Sequence, residues 1–226
     1  MGDERTLKLD EFNFGDYEIA SATCSHGDVI ENFYNGEVLS ILLADTAGHD
    51  KEKGDSFRKY LARVRESGWG FGDAEEEMSY LSYHFPRHDH ELEETEWRPA
   101  GGLLRLDKDS FQIAGAGIEK PLYFHDGVVE TLDLTGNLEF YNRLPHSPGY
   151  SGVMKPGEVI VLQSDGLKEN ADKIHNVDVE SHLEKIVRFG KSSKDIVSKV
   201  VNCLGQYSLP QDHTYDDVSI VVVRKN

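Results

Sequence analysis

Apolar and polar positions alternate or cluster in eight short stretches: "YEIASATCS" (17–25), "EVLSILLAD" (37–45), "GGLLRLD" (101–107), "SFQIAGAG" (110–117), "PLYFHDG" (121–127), "VVETLDL" (128–134), "EVIVLQSD" (158–165) and "DVSIVVVR" (217–224). Their β-branched and aromatic content, with turn formers between them, predicts strands. Two pairs predict hairpins, one turning at Asp107-Lys108-Asp109 and the other at Asp126-Gly127, a dipeptide suited to a type I′ turn. Three other stretches repeat at helical spacing. Residues 52–68 place Phe57, Tyr60, Leu61 and Val64 on one stripe, residues 74–85 repeat the spacing, and residues 192–207 start at a Ser cap and stripe Ile196, Val197, Val200, Val201 and Leu204. Residues 85–102 have no period and are highly charged, which predicts a loop or flap. The order is strands, two helices, many strands, a helical region and a last strand. It predicts an α+β fold of antiparallel sheets covered by helices.

A length of 226 residues suits one domain spanning 1–226, and 38% hydrophobic residues with 10 Tyr and 10 Phe suffice for a packed core. The net charge of −17 argues against a partnership with nucleic acid, which relies on clustered Lys and Arg. Cations or basic surfaces suit such a chain better, although most of its 41 acidic residues serve simply as a solvated surface. Two cysteines, Cys24 and Cys203, lie far apart in no metal-type spacing. They predict a reducing compartment with two ordinary thiols, leaving one long-range disulfide open. No apolar run approaches the roughly 18 residues of a membrane span, and the opening "MGDERTLKLD" is too charged for a secretory signal. A cytoplasmic protein without a membrane partner is the expectation.

Carboxylates recur where apolar stretches end. Asp165 follows "VIVLQS", Asp45 follows "SILLA", Asp28 stands beside Gly27 just beyond 17–25, and Asp216-Asp217 immediately precede the last strand. An Asp in a turn is ordinary when it occurs once. Four at the borders of the most apolar strands are less so, because convergence would demand protonation or a cation. Oxygen donors with no Cys or His cluster favour Mg²⁺, Mn²⁺ or Ca²⁺ over Zn²⁺.

The series "GDVIE" (27–31), "LLADTAGHD" (42–50), "FQIAGAGIEKPLYFHDG" (111–127), "MKPGEVIVLQSDGLKEN" (154–170) and "YDDVSIVVV" (215–223) resembles the metal-dependent protein phosphatases of type 2C, the PPM family. The likeness covers roughly residues 17–224 and is strongest to the bacterial branch of sporulation stage II protein E and the stress-response phosphatases of sigma-factor regulation. It implies a four-layer α-β-β-α sandwich of two antiparallel sheets flanked by helices. It also implies a site for Mn²⁺ or Mg²⁺, two ions or three. By motif, Asp28 would hold the second metal, Asp45 would bridge both as the catalytic ligand, the carbonyl of Thr46 would add a backbone oxygen, and Asp165 and Asp216 would hold the first metal. The implied reaction is hydrolysis of phosphoserine or phosphothreonine by a water activated between two metals. The implied substrate is a phosphorylated regulatory protein of the anti-sigma-factor antagonist type, in bacterial partner-switching signalling.

Several positions depart from the family pattern. His26 stands before Gly27 where a second Gly is usual, Glu31 replaces a later Asp, Asp50 replaces a Gly, and "KEKGDS" is more polar than the usual helix start. Glu31 is weighed as an outer ligand against an ordinary surface Glu. His49 is weighed as a proton donor or phosphate contact against a bystander, since Ala47 occupies the position of the histidine of the eukaryotic branch. His88, Asp89 and His90 in "RHDH" suit solvation better than metal binding, and "GWGFG" (68–72) suits a packed turn between helices better than a nucleotide loop. Tyr141, His146 and Tyr150 lie in a Pro/Gly-rich connector that could border a substrate, and no arginine can be placed on the substrate phosphate. The rival reading is a non-catalytic, phosphatase-like module that binds a signalling protein. A calcium-binding structural domain lacks any EF-hand-like ligand loop.

Overall fold

The computed structural model describes residues 8–24, 27–46, 51–66, 72–84, 99–134, 149–175, 179–205 and 217–226. The chain divides into two compact units, each built on one antiparallel sheet with its own helices.

The first unit comprises Met1–His26, Glu119–Leu132 and Met154–Asn226. Its sheet runs β1 (Lys8–Phe14), β2 (Tyr17–Cys24), β11 (Val218–Lys225), β10 (Val159–Gln163), β7 (Leu122–His125) and β8 (Val128–Thr131) in spatial order. Helices α3 (Gly166–His175), α4 (Val179–Phe189) and α5 (Ser193–Gly205) belong to the same unit. Period-2 alternation sends Ala20, Ala22, Val159, Val161, Ile220 and Val222 to one face of the sheet, where Leu183 and Val187 of α4 and Ile196, Val197 and Val200 of α5 cover them. The start of α5 is capped as its sequence predicts, because Ser192 Oγ accepts from the Asp195 amide at 3.0 Å. Asp126 and Gly127 both take positive φ, 48° and 79°, as the type I′ turn between β7 and β8 requires.

The second unit comprises Gly27–Ile118 and Asp133–Val153. Its sheet runs β3 (Val29–Tyr34), β4 (Leu39–Thr46), β5 (Pro99–Leu106), β6 (Ser110–Ala116) and β9 (Gly149–Val153). The predicted stripe of α1 (Lys51–Glu66) is buried, with Phe57, Tyr60, Leu61 and Val64 packed with Met78 and Leu81 of α2 (Ala74–His84) and with Val29, Leu42, Leu103 and Ala114 of the sheet. A reciprocal capping box starts α2: the Glu76 amide donates to Asp73 Oδ1 at 2.8 Å, and the Asp73 amide donates to Glu76 Oε2 at 3.2 Å. One turn on, the buried Glu77 accepts from Ser40 of β4 and from Arg105 of β5, fixing α2 to the sheet by charge as well as by packing.

Five elements go beyond the predicted set: β1, β3, β9, α3 and α4. Strand β5 begins at Pro99, inside the predicted flap 85–102, whose residues 85–98 lie outside the described ones. The connector holding Tyr150 ends as β9, where Tyr150 stacks on Phe111 with ring centroids 5.8 Å apart. Cys203 is a free, exposed thiol. No helix among the described residues is long and apolar enough to cross a membrane.

Candidate active site

Strand β4 is buried on both faces through Ala44, since Ile41, Leu42, Leu43 and Ala44 are all fully buried. Asp45 is thus the first charged residue the strand delivers, and it is half-buried. Across the hairpin Val29 pairs with Ala44, so the antiparallel register sets Asp28 beside Asp45 at the same end of the two strands. Asp28 is only 1% exposed, a burial that a carboxylate tolerates only with compensating donors or a cation. The turn carrying it is held from two sides. Thr46 Oγ1 donates to the carbonyl of Gly27 at 2.7 Å, and Arg58 of α1 donates to the carbonyl of Asp28 at 3.1 Å.

In the other unit β10 ends in a set of short polar contacts. The Ser164 amide donates to the Ser219 carbonyl at 2.9 Å, and the Ser219 amide donates to Ser164 Oγ at 2.9 Å. Ser164 Oγ reaches the Asp217 carbonyl at 3.3 Å, and the hydroxyls of Thr23 and Ser219 lie 2.7 Å apart. These contacts fix the ends of β2, β10 and β11 against one another, which sets the position of the next residue, Asp165. Its carbonyl accepts from the amides of Lys168 and Glu169 at 2.9 and 3.0 Å, making Asp165 the residue on which α3 starts. Its Oδ1 is buried and has no hydrogen-bond partner among the described residues. The helix start leaves that oxygen in the more positive end of the α3 dipole while its own acceptor capacity stays unused.

Asp28, Asp45 and Thr46 stand together in one unit, and Asp165 stands at a strand end of the other. Asp216 lies outside the described residues, as do His26, Ala47, His49, Asp50, Trp69, the "RHDH" segment, Tyr141 and His146. Asp217, next to Asp216, is 3% exposed and leads directly into β11. Glu31 is half-buried on β3, opposite Leu42. Among the described residues no group of three or more His, Cys, Asp or Glu is assembled that could hold a metal ion. Taken one at a time, the buried carboxylate of Asp28 and the spare buried oxygen of Asp165 are donors of the kind that suits a hard divalent cation such as Mg²⁺ or Mn²⁺. The sequence reading missed Arg58, and no local signal could have found it, because its partner is a backbone carbonyl 30 residues away.

The fold is that of PP2C phosphatases. The chain superposes on the PP2C phosphatase domain of SpoIIE with a fragment of its regulatory domain, from Bacillus subtilis, with a TM-score of 0.71 at 16% identity, covering 98% of this chain and 72% of that one. It superposes on the RsbU and RsbW domains of a Mycobacterium tuberculosis protein with a TM-score of 0.68 at 18% identity, covering 93% of this chain but only 61% of that longer one. RsbX in complex with magnesium gives a TM-score of 0.67 at 13% identity, covering 97% and 100% of the two chains. At these identities the likeness is one of fold alone. Among curated protein sequences none matches closely enough to register as a relative. The family model of stage II sporulation protein E (SpoIIE) matches residues 100–226, more than half of the chain, and the chain belongs to that family. The matched stretch contains Asp165 and Asp216, whereas Asp28, Asp45 and Thr46 lie before it.

Proposed function

We propose that the chain is a Mn²⁺- or Mg²⁺-dependent protein serine/threonine phosphatase, one catalytic domain over its whole length, acting on a phosphorylated regulatory protein in partner-switching signalling. The observation that carries this reading is the state of Asp165. Within the family-matched half, a strand with no exposed residue ends in a carboxylate whose Oδ1 is buried and unused by any hydrogen bond among the described residues. Such an oxygen costs free energy unless a donor or a cation meets it, and a bound divalent ion would meet it.

On this reading Asp28, Asp45, the carbonyl of Thr46, Asp165 and Asp216 would be the metal ligands, with Asp45 the central one. Divalent ions bound there would supply Lewis acidity, lowering the pKa of water and offsetting the charge of the phosphoryl group. The chain's own residues supply position. The Thr46 hydroxyl and the Arg58 guanidinium fix the turn that carries Asp28, and the serine contacts fix the strand end that carries Asp165. No nucleophilic side chain is needed. Magnesium bound to RsbX supports the choice of ion, and the presence of RsbU and RsbW domains in the mycobacterial protein supports the signalling setting.

The test is hydrolysis of an aryl phosphate and of a phosphoserine peptide by the purified chain with Mn²⁺, with Mg²⁺ and with a chelator. Turnover with either ion and none with chelator is the expected result. No turnover with any divalent ion would leave the non-catalytic module as the better reading.

A further inference from the structure

We infer that Arg58 is a positioning residue for the metal ligand Asp28, holding the peptide group that aims its carboxylate. The inference rests on the metal-dependent reading above. One guanidinium nitrogen of Arg58 donates to the Asp28 carbonyl at 3.1 Å, and the other meets Asp55 Oδ1, one turn earlier on the same helix, at 3.2 Å. Asp55 therefore steers the arginine along α1, and the arginine holds the Asp28 peptide. The neighbouring carbonyl, of Gly27, is held by Thr46, so two successive peptide groups around Asp28 are fixed by side chains from different elements. With both carbonyls restrained, the backbone that aims the Asp28 carboxylate has little freedom left. Outer partners that orient a ligand in this way typically account for about ten- to a hundredfold in metal affinity.

Charge and positioning make opposite demands, which sets this role apart from a bystander's. A guanidinium close to a divalent cation repels it, so if Arg58 acted only through its charge, removing it would tighten metal binding. If it acts by aiming Asp28, removing it weakens binding despite the lost repulsion. Its side chain is 39% exposed, so it is not an obligatory part of the core.

The experiment is Mn²⁺ titration of the full chain, followed by electron paramagnetic resonance of the free ion. Arg58→Met keeps the apolar stem, Arg58→Lys keeps the charge, and Asp55→Asn spares the Asp28 contact. Asp28→Asn serves as the control, and thermal melting in chelator is measured alongside. Arg58→Met is expected to weaken Mn²⁺ about tenfold or more, Arg58→Lys to fall between it and wild type, and Asp55→Asn to stay within about twofold. Unchanged or tighter Mn²⁺ binding in Arg58→Met overturns the inference, even if its melting temperature drops, since that pattern means Arg58 only anchors α1. Should Arg58→Met not fold, Arg58→Lys decides: wild-type affinity there overturns the inference and weakened affinity supports it. If wild type binds no Mn²⁺, or Asp28→Asn binds as tightly as wild type, the metal-dependent reading fails and takes the inference with it.

Discussion

The hydroxyl of Thr46 donates to the carbonyl of Gly27 across 2.7 Å, joining the last residue of β4 to the turn before β3. Thr46 is 1% exposed, so the bond is sheltered from water and its loss takes a buried donor away from the Gly27 carbonyl. Thr46→Val keeps the shape and removes the donor. It is expected to lower unfolding stability by about 1–3 kcal/mol, measured by urea denaturation in chelator so that no metal contributes. Thr46→Ser keeps the hydroxyl and should lose less.

Glu77 and Arg105 make a pH-dependent clasp between α2 and β5. Burial raises the Glu77 carboxyl above the ordinary carboxylate range and outweighs the opposing effects of Arg105 and Ser40. The folded state thus holds this proton to higher pH than the unfolded chain does. Its contribution to stability is full below the ordinary carboxylate pKa and is lost as pH rises through the raised folded value. Denaturation curves of Glu77→Gln should be flatter than wild type over that window.

Removing the other partner has a different signature. Arg105→Met leaves Glu77 buried without its cation, which should cost about 3–5 kcal/mol at neutral pH. The deficit should shrink toward acid pH, where Glu77 becomes neutral. A constant deficit across pH would mean that Arg105 contributes packing alone.

The β7–β8 turn is sensitive at Gly127, where φ is 79°. Gly127→Ala forces a side chain into the left-handed region and should cost about 1–2 kcal/mol. The adjacent pair of Lys155 with Asp126 is exposed and screened by solvent, so Lys155→Ala should leave stability nearly unchanged.

What the sequence revealed depended on where each strand sits in its sheet. Central strands such as β4, β10 and β11 carry continuous apolar runs and were predicted to within two residues. The three strands that escaped, β1, β3 and β9, are all sheet edges. Each has one partner, and β1 and β9 expose most of their length, so "KLDEFNF" and "GYSGV" have no buried face to impose a pattern, while β3 buries only Val29 and Phe33. Helix α3 is mostly polar, and with the polar Asn170 buried beside Leu167 its buried positions make no apolar stripe to read. Helix α4 was readable in principle, since Leu183, Ile186 and Val187 recur at helical spacing against the sheet.

The candidate ligands were legible because Asp45 and Asp165 interrupt apolar runs. The contacts that hold those ligands were not. Arg58 to the Asp28 carbonyl and Ser164 to Ser219 join positions 30 and 55 residues apart, and no local pattern encodes such pairs.

Metal-dependent hydrolysis is tested most directly by assaying aryl phosphate turnover against Mn²⁺ concentration for wild type and for Asp28→Asn, Asp45→Asn, Asp165→Asn and Asp216→Asn. Wild type should require the metal. Each variant should lose about two orders of magnitude or more in kcat/KM, or need far more Mn²⁺ to recover it, with Asp45→Asn the most severe. Turnover that is independent of metal, or that survives unchanged in Asp45→Asn, would contradict the proposed phosphatase.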